Sequence, residues 1–161
     1  MPESPHDEVE VLAGTHGDLR WQVWAGGSSD DLMTMLQVLH GDRRVARSGF
    51  RGPALYPDRK VNEWRGRTDD LPYFVMARTA PEVSRLVAVT DRGTHVELVM
   101  GDVDTRFGLR FAVAGVPEGE GPGVLLVEVD GHPDGSLPQP MGWPPARPAG
   151  QEGPRSGWRP R

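Results

Sequence analysis

The chain has 161 residues, of which 37% are hydrophobic and 25% charged, with a formal net charge of −5, so it is long enough for one domain with its own core. It contains no cysteine, which excludes disulfides, catalytic thiolates and zinc–thiolate sites. The acidic balance argues against general nucleic-acid binding, because the phosphates require a basic face.

The N-terminus is acidic and lacks the basic region and apolar run of a secretory signal. No apolar run approaches the roughly 18 residues that a membrane span needs. We therefore expect a cytoplasmic protein with neither a membrane nor a nucleic-acid partner.

Both ends of the chain lack a hydrophobic pattern. Residues 1–7 are polar, contain two prolines and predict a disordered N-terminus. Residues 138–161 are rich in proline, glycine and arginine and predict a disordered or polyproline-like tail. The sequence thus predicts one domain at residues 8–137 between two disordered ends.

The first half of that domain has the period-two alternation of β-strands. Residues 8–13 and 19–25 alternate between two faces and predict the first two strands. Residues 32–40 fit either a short helix that begins after Ser29 or a strand with both faces largely covered. The strand is more consistent with the Gly41-Asp42 turn, which leads into a further strand at residues 43–50.

Residues 51–71 have no periodicity and predict a long loop, a kind of segment that is often functional. Strands are predicted after it at residues 72–78, 83–90, 94–100, 107–114 and 124–129. The stretch from 83 to 129 organises the fold, because Phe107, Leu109, Phe111 and Val113 fall on one side of its chain. Eight or nine short strands at intervals of about ten residues predict an all-β fold, a single antiparallel β-sandwich.

The sequence contains no recognisable catalytic, phosphate-binding or metal-binding motif. His95 and Glu97 would share one face of a strand, and Asp102 and Asp104 follow them. These four are the first candidates for an enzyme or small-ligand site at one end of the sandwich, although the pattern favours a solvated sheet face for His95 and Glu97 and a solvated turn for the two aspartates. We predict no catalytic residue, no metal and no cofactor.

One segment of the predicted loop differs from its acidic surroundings. Residues 59–67 carry four basic side chains and one acidic one around a tryptophan. Tryptophan, tyrosine and arginine together are typical of binding hot spots. The alternative is that the tryptophan covers the edge of the core while the arginines pair with neighbouring acids. The predicted binding residues are Tyr56, Arg59, Lys60, Trp64, Arg65 and Arg67.

Three pieces of the central stretch carry a family pattern: VSRLVAV at 83–89, GTHVEL at 93–98 and GLRFAVA at 108–114. They resemble a small immunoglobulin-like sandwich domain of uncharacterised actinobacterial proteins, and Trp21 also fits it. Many such relatives are membrane-anchored or carry a cysteine pair, features that this sequence lacks. The resemblance implies a β-sandwich and an actinobacterial host, and it carries over no catalytic residue.

The function predicted from these observations is a non-catalytic cytoplasmic protein-interaction or regulatory module. Its partner would be another protein or a second copy of the chain. One alternative is an enzyme or small-ligand-binding protein with its site in the loops at one end of the sandwich. Another is a structural component of a secretion or phage assembly.

Overall fold

The computed structural model describes residues 8–134. Within that range the chain forms β-strands and no α-helix, which confirms the all-β prediction. It therefore contains no helix that could cross a membrane in the described range. The ends predicted to be disordered, residues 1–7 and 138–161, lie outside the described residues.

The strands form three four-stranded antiparallel sheets, which we name A, B and C. Sheet A contains β1 (Val9–His16), β2 (Leu19–Ser28), β3 (Asp31–His40) and β4 (Arg43–Gly52) in that order. Sheet B has the order β5 (Val61–Gly66), β6 (Phe74–Thr79), β10 (Arg110–Gly115) and β9 (Val99–Met100). Sheet C has the order β12 (His132–Pro133), β11 (Pro122–Val129), β7 (Val83–Thr90) and β8 (His95–Glu97).

Sheet A is a meander whose strands are joined by two-residue turns. Gly17 and Gly41 begin two of these turns with φ of 61° and 65°, a backbone conformation that glycine adopts without strain. Residues 32–40 lie in the long strand β3, so the strand interpretation of this segment is confirmed and the helix is wrong. Apolar residues occupy both faces of β3, because the even-numbered positions from 32 to 38 are buried and the odd-numbered positions from 33 to 39 are half-buried.

Sheet B lies between the other two sheets, because alternate residues of its central strands join different hydrophobic clusters. Phe74 and Met76 of β6 pack with sheet A, whereas Val75 and Ala77 pack with sheet C. The predicted single sandwich is therefore corrected to three stacked layers. Both faces of β6 are buried, and its first four residues are all apolar, a pattern that gives no indication of how many sheets cover it.

The predicted loop at 51–71 is also corrected, because residues 61–66 form β5 and pair with β6. Each face of β5 contains one large apolar residue, the buried Val61 or the half-buried Trp64, and the other positions are polar, charged or glycine, so the sequence shows no apolar period of two. β5 is the edge strand of sheet B, and edge strands tolerate such charges.

The strand predicted at 94–100 is divided between two sheets. Its first part, β8, pairs with β7 in sheet C, and its second part, β9, pairs with β10 in sheet B. Leu98 lies between them with its side chain buried in the cluster between those sheets. The strand predicted at 107–114 begins only at Arg110, because residues 104–108 form a turn in which Gly108 N–H donates to Asp104 O at 2.7 Å.

Candidate functional site

The last strand of sheet A and the first strand of sheet B lie on the same side of the molecule. β4 and β5 are both edge strands, and residues 53–60 connect them. Among the strands of residues 8–134, β4 pairs only with β3, and β5 pairs only with β6. We call residues 43–67 the basic edge.

The basic edge concentrates the positive charge of a chain that is otherwise acidic. Residues 43–67 contain seven arginines and one lysine against Asp58 and Glu63, a net charge of +6. Residues 8–42 and 68–134 carry net charges of −5 and −7. The net charge of the basic edge is therefore opposite in sign to the net charges of the two segments that flank it in the sequence.

The four arginines of β4 are exposed and differ in their partners. Arg47 pairs with Glu8 at 2.8 Å, and Arg51 pairs with Asp31 at 3.0 Å. The hydrogen bond from Arg51 holds the pKa of Asp31 below its usual value. Arg43 and Arg44 form no ion pair among residues 8–134, so their guanidinium groups are available to another molecule.

Three of the residues predicted to bind a partner are engaged within the domain. Trp64 packs against the core between sheets A and B. Lys60 pairs with Glu82 at 2.7 Å. Arg65 pairs with Glu63 and donates to the carbonyl oxygen of Gly123 at 2.5 Å, which attaches β5 to sheet C.

The other three predicted residues are more available. The Tyr56 side chain is 49% exposed. Arg67 is exposed and lies over the ring of Tyr73 at 4.8 Å, and Arg59 is half-buried. The six predicted residues thus divide into three that join β5 to its neighbours and three that contribute to the surface.

A shallow cleft opens to solvent between β4 and β5. Ala46 and Ser48 of β4 form one wall, and Trp64 of β5 with the exposed Arg67 contributes to the other. The remaining lining residues are Leu36, Val38, Gly66, Thr68, Leu71, Pro72 and Phe74. Pockets for small molecules are larger and more enclosed than this cleft. A segment with an apolar side chain next to a carboxylate would suit this cleft. The apolar side chain would contact the walls, and the carboxylate would pair with Arg67.

The candidates for acid–base chemistry lie in separate surroundings. His95 and Glu97 are exposed on β8, and Glu97 pairs with Arg85 at 3.4 Å. Asp104 pairs with Arg106 at 2.8 Å, and the hydrogen bond from that arginine lowers the pKa of Asp104. Asp102 is exposed. Among residues 8–134 there is no group of three side chains that could hold a metal ion.

Arg78 is an unexpected feature of the fold, because it is fully buried and has no carboxylate partner in the described chain. Its guanidinium group donates to Leu32 O at 2.8 Å, to Thr34 Oγ1 at 2.9 Å and to Pro53 O at 3.0 Å. It also lies 4.1 Å above the ring of Phe50. Burial lowers the pKa of Arg78 to about 10, so the group stays protonated at neutral pH.

Through these bonds Arg78 fixes the start of the connection between β4 and β5. Pro53 is the first residue after β4, and β6, which carries Arg78, pairs with β5. Arg78 is therefore a positioning residue for the basic edge. The sequence signal that could have found it is a single arginine at an inward-facing position of an otherwise apolar strand.

The ion pair between Lys60 and Glu82 predicts a pH-dependent contribution to stability. The hydrogen bond from Lys60 lowers the pKa of Glu82, so its contribution is present above about pH 4.5 and is lost as the pH falls through the lowered value. The pKa of Lys60 is raised, so its contribution is present below about pH 10.5 and is lost above it. We expect Lys60→Met to lower the melting temperature slightly at pH 7 and to have less effect at pH 3.

Thermal denaturation at the two pH values checks this expectation. Arg59→Met is the matched control, because Arg59 has no ion pair in the described chain and should show no pH-dependent difference. An equal effect of Lys60→Met at pH 7 and pH 3 would contradict it.

Comparisons with known protein families, with curated proteins and with solved structures find no match for this chain. The resemblance to actinobacterial sandwich domains stays a prediction. Any statement on function must therefore come from the chemistry of the surface itself.

Proposed function

We propose that this protein is a non-catalytic protein-interaction module whose basic edge binds an acidic segment of a protein partner. The observation that carries the proposal is the net charge of +6 on residues 43–67, next to an open apolar cleft. The combination offers a partner both electrostatic attraction and an anchoring site for an apolar side chain.

The electrostatic part favours an acidic partner in two ways. The positive potential of the basic edge attracts an acidic segment before contact, and the acidic remainder of the domain repels it from other surfaces. Arg43 and Arg44 have no ion pair to break in the described chain, so their binding to a carboxylate carries no such penalty.

The apolar part favours a protein over a nucleic acid. The cleft is lined mainly by aliphatic and aromatic side chains, which suit a side chain such as leucine or valine. A long polyanion would extend beyond the basic edge towards regions with net charges of −5 and −7. The proposal includes a cytoplasmic location.

Selection of binders from a displayed library of random peptides tests the proposed function. We expect the selected peptides to contain an apolar residue flanked by aspartate or glutamate. The charge reversals Arg44→Glu and Arg67→Glu, made together, should weaken their binding by about tenfold or more, because each reversal replaces an attraction with a repulsion.

The matched control is Arg92→Glu, at an exposed arginine in the turn between β7 and β8, outside the basic edge. It should leave the affinities unchanged. Peptides without acidic residues, or binding that survives the double reversal, would count against the basic edge. Concentration-dependent association that the double reversal abolishes would identify the partner as a second copy of the chain.

A further inference from the structure

We propose that the partner segment binds as an added β-strand along β4, and that its sequence alternates acidic and apolar residues. This inference rests on the proposed function and adds to it the mode of binding and the sequence pattern of the partner. It follows from the position of β4, from the alternation of its side chains and from the location of the cleft.

The first element of the inference is the open side of β4. This strand contains ten residues and pairs with β3 on one side only. An edge strand presents unpaired N–H and C=O groups at every second residue, and an extended peptide can pair with them. The outer side of β4 is unoccupied by any strand of residues 8–134, so it can accept such a peptide.

The second element is the alternation of side chains along β4. Ala46 and Ser48 face the cleft, and Arg47 between them points to the opposite face of the sheet. Side chains at neighbouring positions of paired strands lie side by side on the same face. A strand added to β4 would therefore place every second side chain over the cleft and the intervening ones beside the arginines.

The third element is the match between these two faces and the residue types that suit them. The cleft side offers the small side chains of Ala46 and Ser48, over which an apolar group of the partner would lie. The other side offers Arg47, whose guanidinium group has more donors than its ion pair with Glu8 uses. A partner strand complements β4 when its apolar residues face the cleft and its acidic residues, at the alternate positions, face Arg47.

The arginines also exclude other strands. Charged side chains on an edge discourage pairing with an apolar strand, and the β4 of a second copy would be repelled by like charge. An acidic strand has neither disadvantage. The same side chains that protect the edge against aggregation thus select the partner proposed here.

Three synthetic peptides of related composition test the binding mode by calorimetric titration. In the first, glutamate and valine alternate; in the second, the same residues form two blocks; the third repeats the alternating sequence with N-methyl groups on alternate backbone nitrogens. We expect the first to bind about tenfold or more tightly than the other two, because only it supplies both the side-chain pattern and the backbone donors.

Variants of the protein locate the bound strand. Ser48→Phe fills the cleft from β4 and should abolish the preference for the alternating peptide, whereas Arg92→Glu should leave it unchanged. Circular dichroism and the melting temperature establish that both variants are folded. In the wild type, the bound peptide should slow the hydrogen exchange of amides in β4 and leave β1, the other edge of sheet A, unaffected.

The outcomes separate this inference from the proposed function. Equal binding of the alternating and block peptides, with loss in the Arg44→Glu and Arg67→Glu protein, would overturn the added strand and retain an acidic partner. Exchange protection of β1 instead of β4 would also overturn it. Absence of binding by all three peptides, together with tighter binding of an oligothymidylate, would overturn both.

Discussion

Replacement of Arg78 by alanine is expected to destabilise the protein by about 3–5 kcal/mol. The substitution removes the donor to Leu32 O, Thr34 Oγ1 and Pro53 O, and each buried acceptor left without a partner costs about 1–3 kcal/mol. The wild type also bears the cost of burying a charge without a carboxylate partner, and the alanine variant is free of that cost. The expected loss is therefore smaller than the summed cost of the three freed acceptors.

Equilibrium unfolding in urea measures the effect. Arg85→Ala is the matched control, because Arg85 is an exposed arginine with ion pairs to Glu97 and Glu128, and its removal should change the unfolding free energy little. Thr34→Val removes one of the three acceptors and keeps the shape of the side chain. It therefore tests the same contact if Arg78→Ala does not fold.

One outcome would contradict the structural role of Arg78, and another would contradict its positioning of the basic edge. One is a loss below about 1 kcal/mol for Arg78→Ala, which would mean that other donors satisfy the freed oxygens. The other is an unchanged affinity of a folded Arg78→Lys variant for the selected peptides together with a lowered stability. That result would retain the structural role and remove the positioning of the basic edge.

Replacement of Trp21 by alanine is expected to cost about 3–5 kcal/mol. Trp21 lies on β2 in the core between sheets A and B, where only 1% of its surface is exposed. Its ring lies over Gly14 of β1, where an added Cβ would be 2.3 Å from Trp21 Cζ2. The glycine therefore makes space for the ring across the strand pair.

This packing also predicts how the two positions couple. Gly14→Ala alone should cost about 1–3 kcal/mol, because the buried ring has no room to move aside. Together with Trp21→Leu, the cost should be less than the sum of the single changes, since the smaller side chain removes the clash. Urea unfolding of the four proteins in this cycle gives the coupling energy.

Trp24→Ala serves as the control for the aromatic substitution. Trp24 lies on the same strand but points to the opposite face and is half-buried, so its loss should cost less than that of Trp21. Equal costs for the two tryptophans, or strict additivity of the Gly14 and Trp21 substitutions, would contradict the packing described.

Local alternation predicted β1 and β2, and the turn at Gly41 was needed as well to favour a strand over a helix for β3. Trp21 and Val23 alternate with exposed or half-buried neighbours, and Gly41 marks the turn between β3 and β4. A strand with one buried face has this pattern wherever it lies, so the sequence reveals it without knowledge of the partner strands. β5 was missed because Trp64 stands between the charged residues Glu63 and Arg65, which are half-buried in the structure.

The aromatic and basic residues around Trp64 were identified from the sequence, but their extension to β4 was not. Arg43 and Arg44 are distant in sequence from Arg67, and the edge strands of two sheets bring the segments together. The sequence also did not reveal that Trp64, Lys60 and Arg65 have partners within the domain. Those contacts depend on Glu82, on Gly123 and on the core, which lie elsewhere in the chain.

The sequence by itself determined the all-β class, the positions of most strands and the concentration of positive charge at residues 59–67, because each depends on residues that are neighbours along the chain. The tertiary structure decided the number of sheets, the burial of Arg78 between two of them and the cleft beside β4. These features depend on which strands pair and which faces stack. Such long-range choices are made by packing and hydrogen bonding between distant segments, which the period of a single strand does not encode.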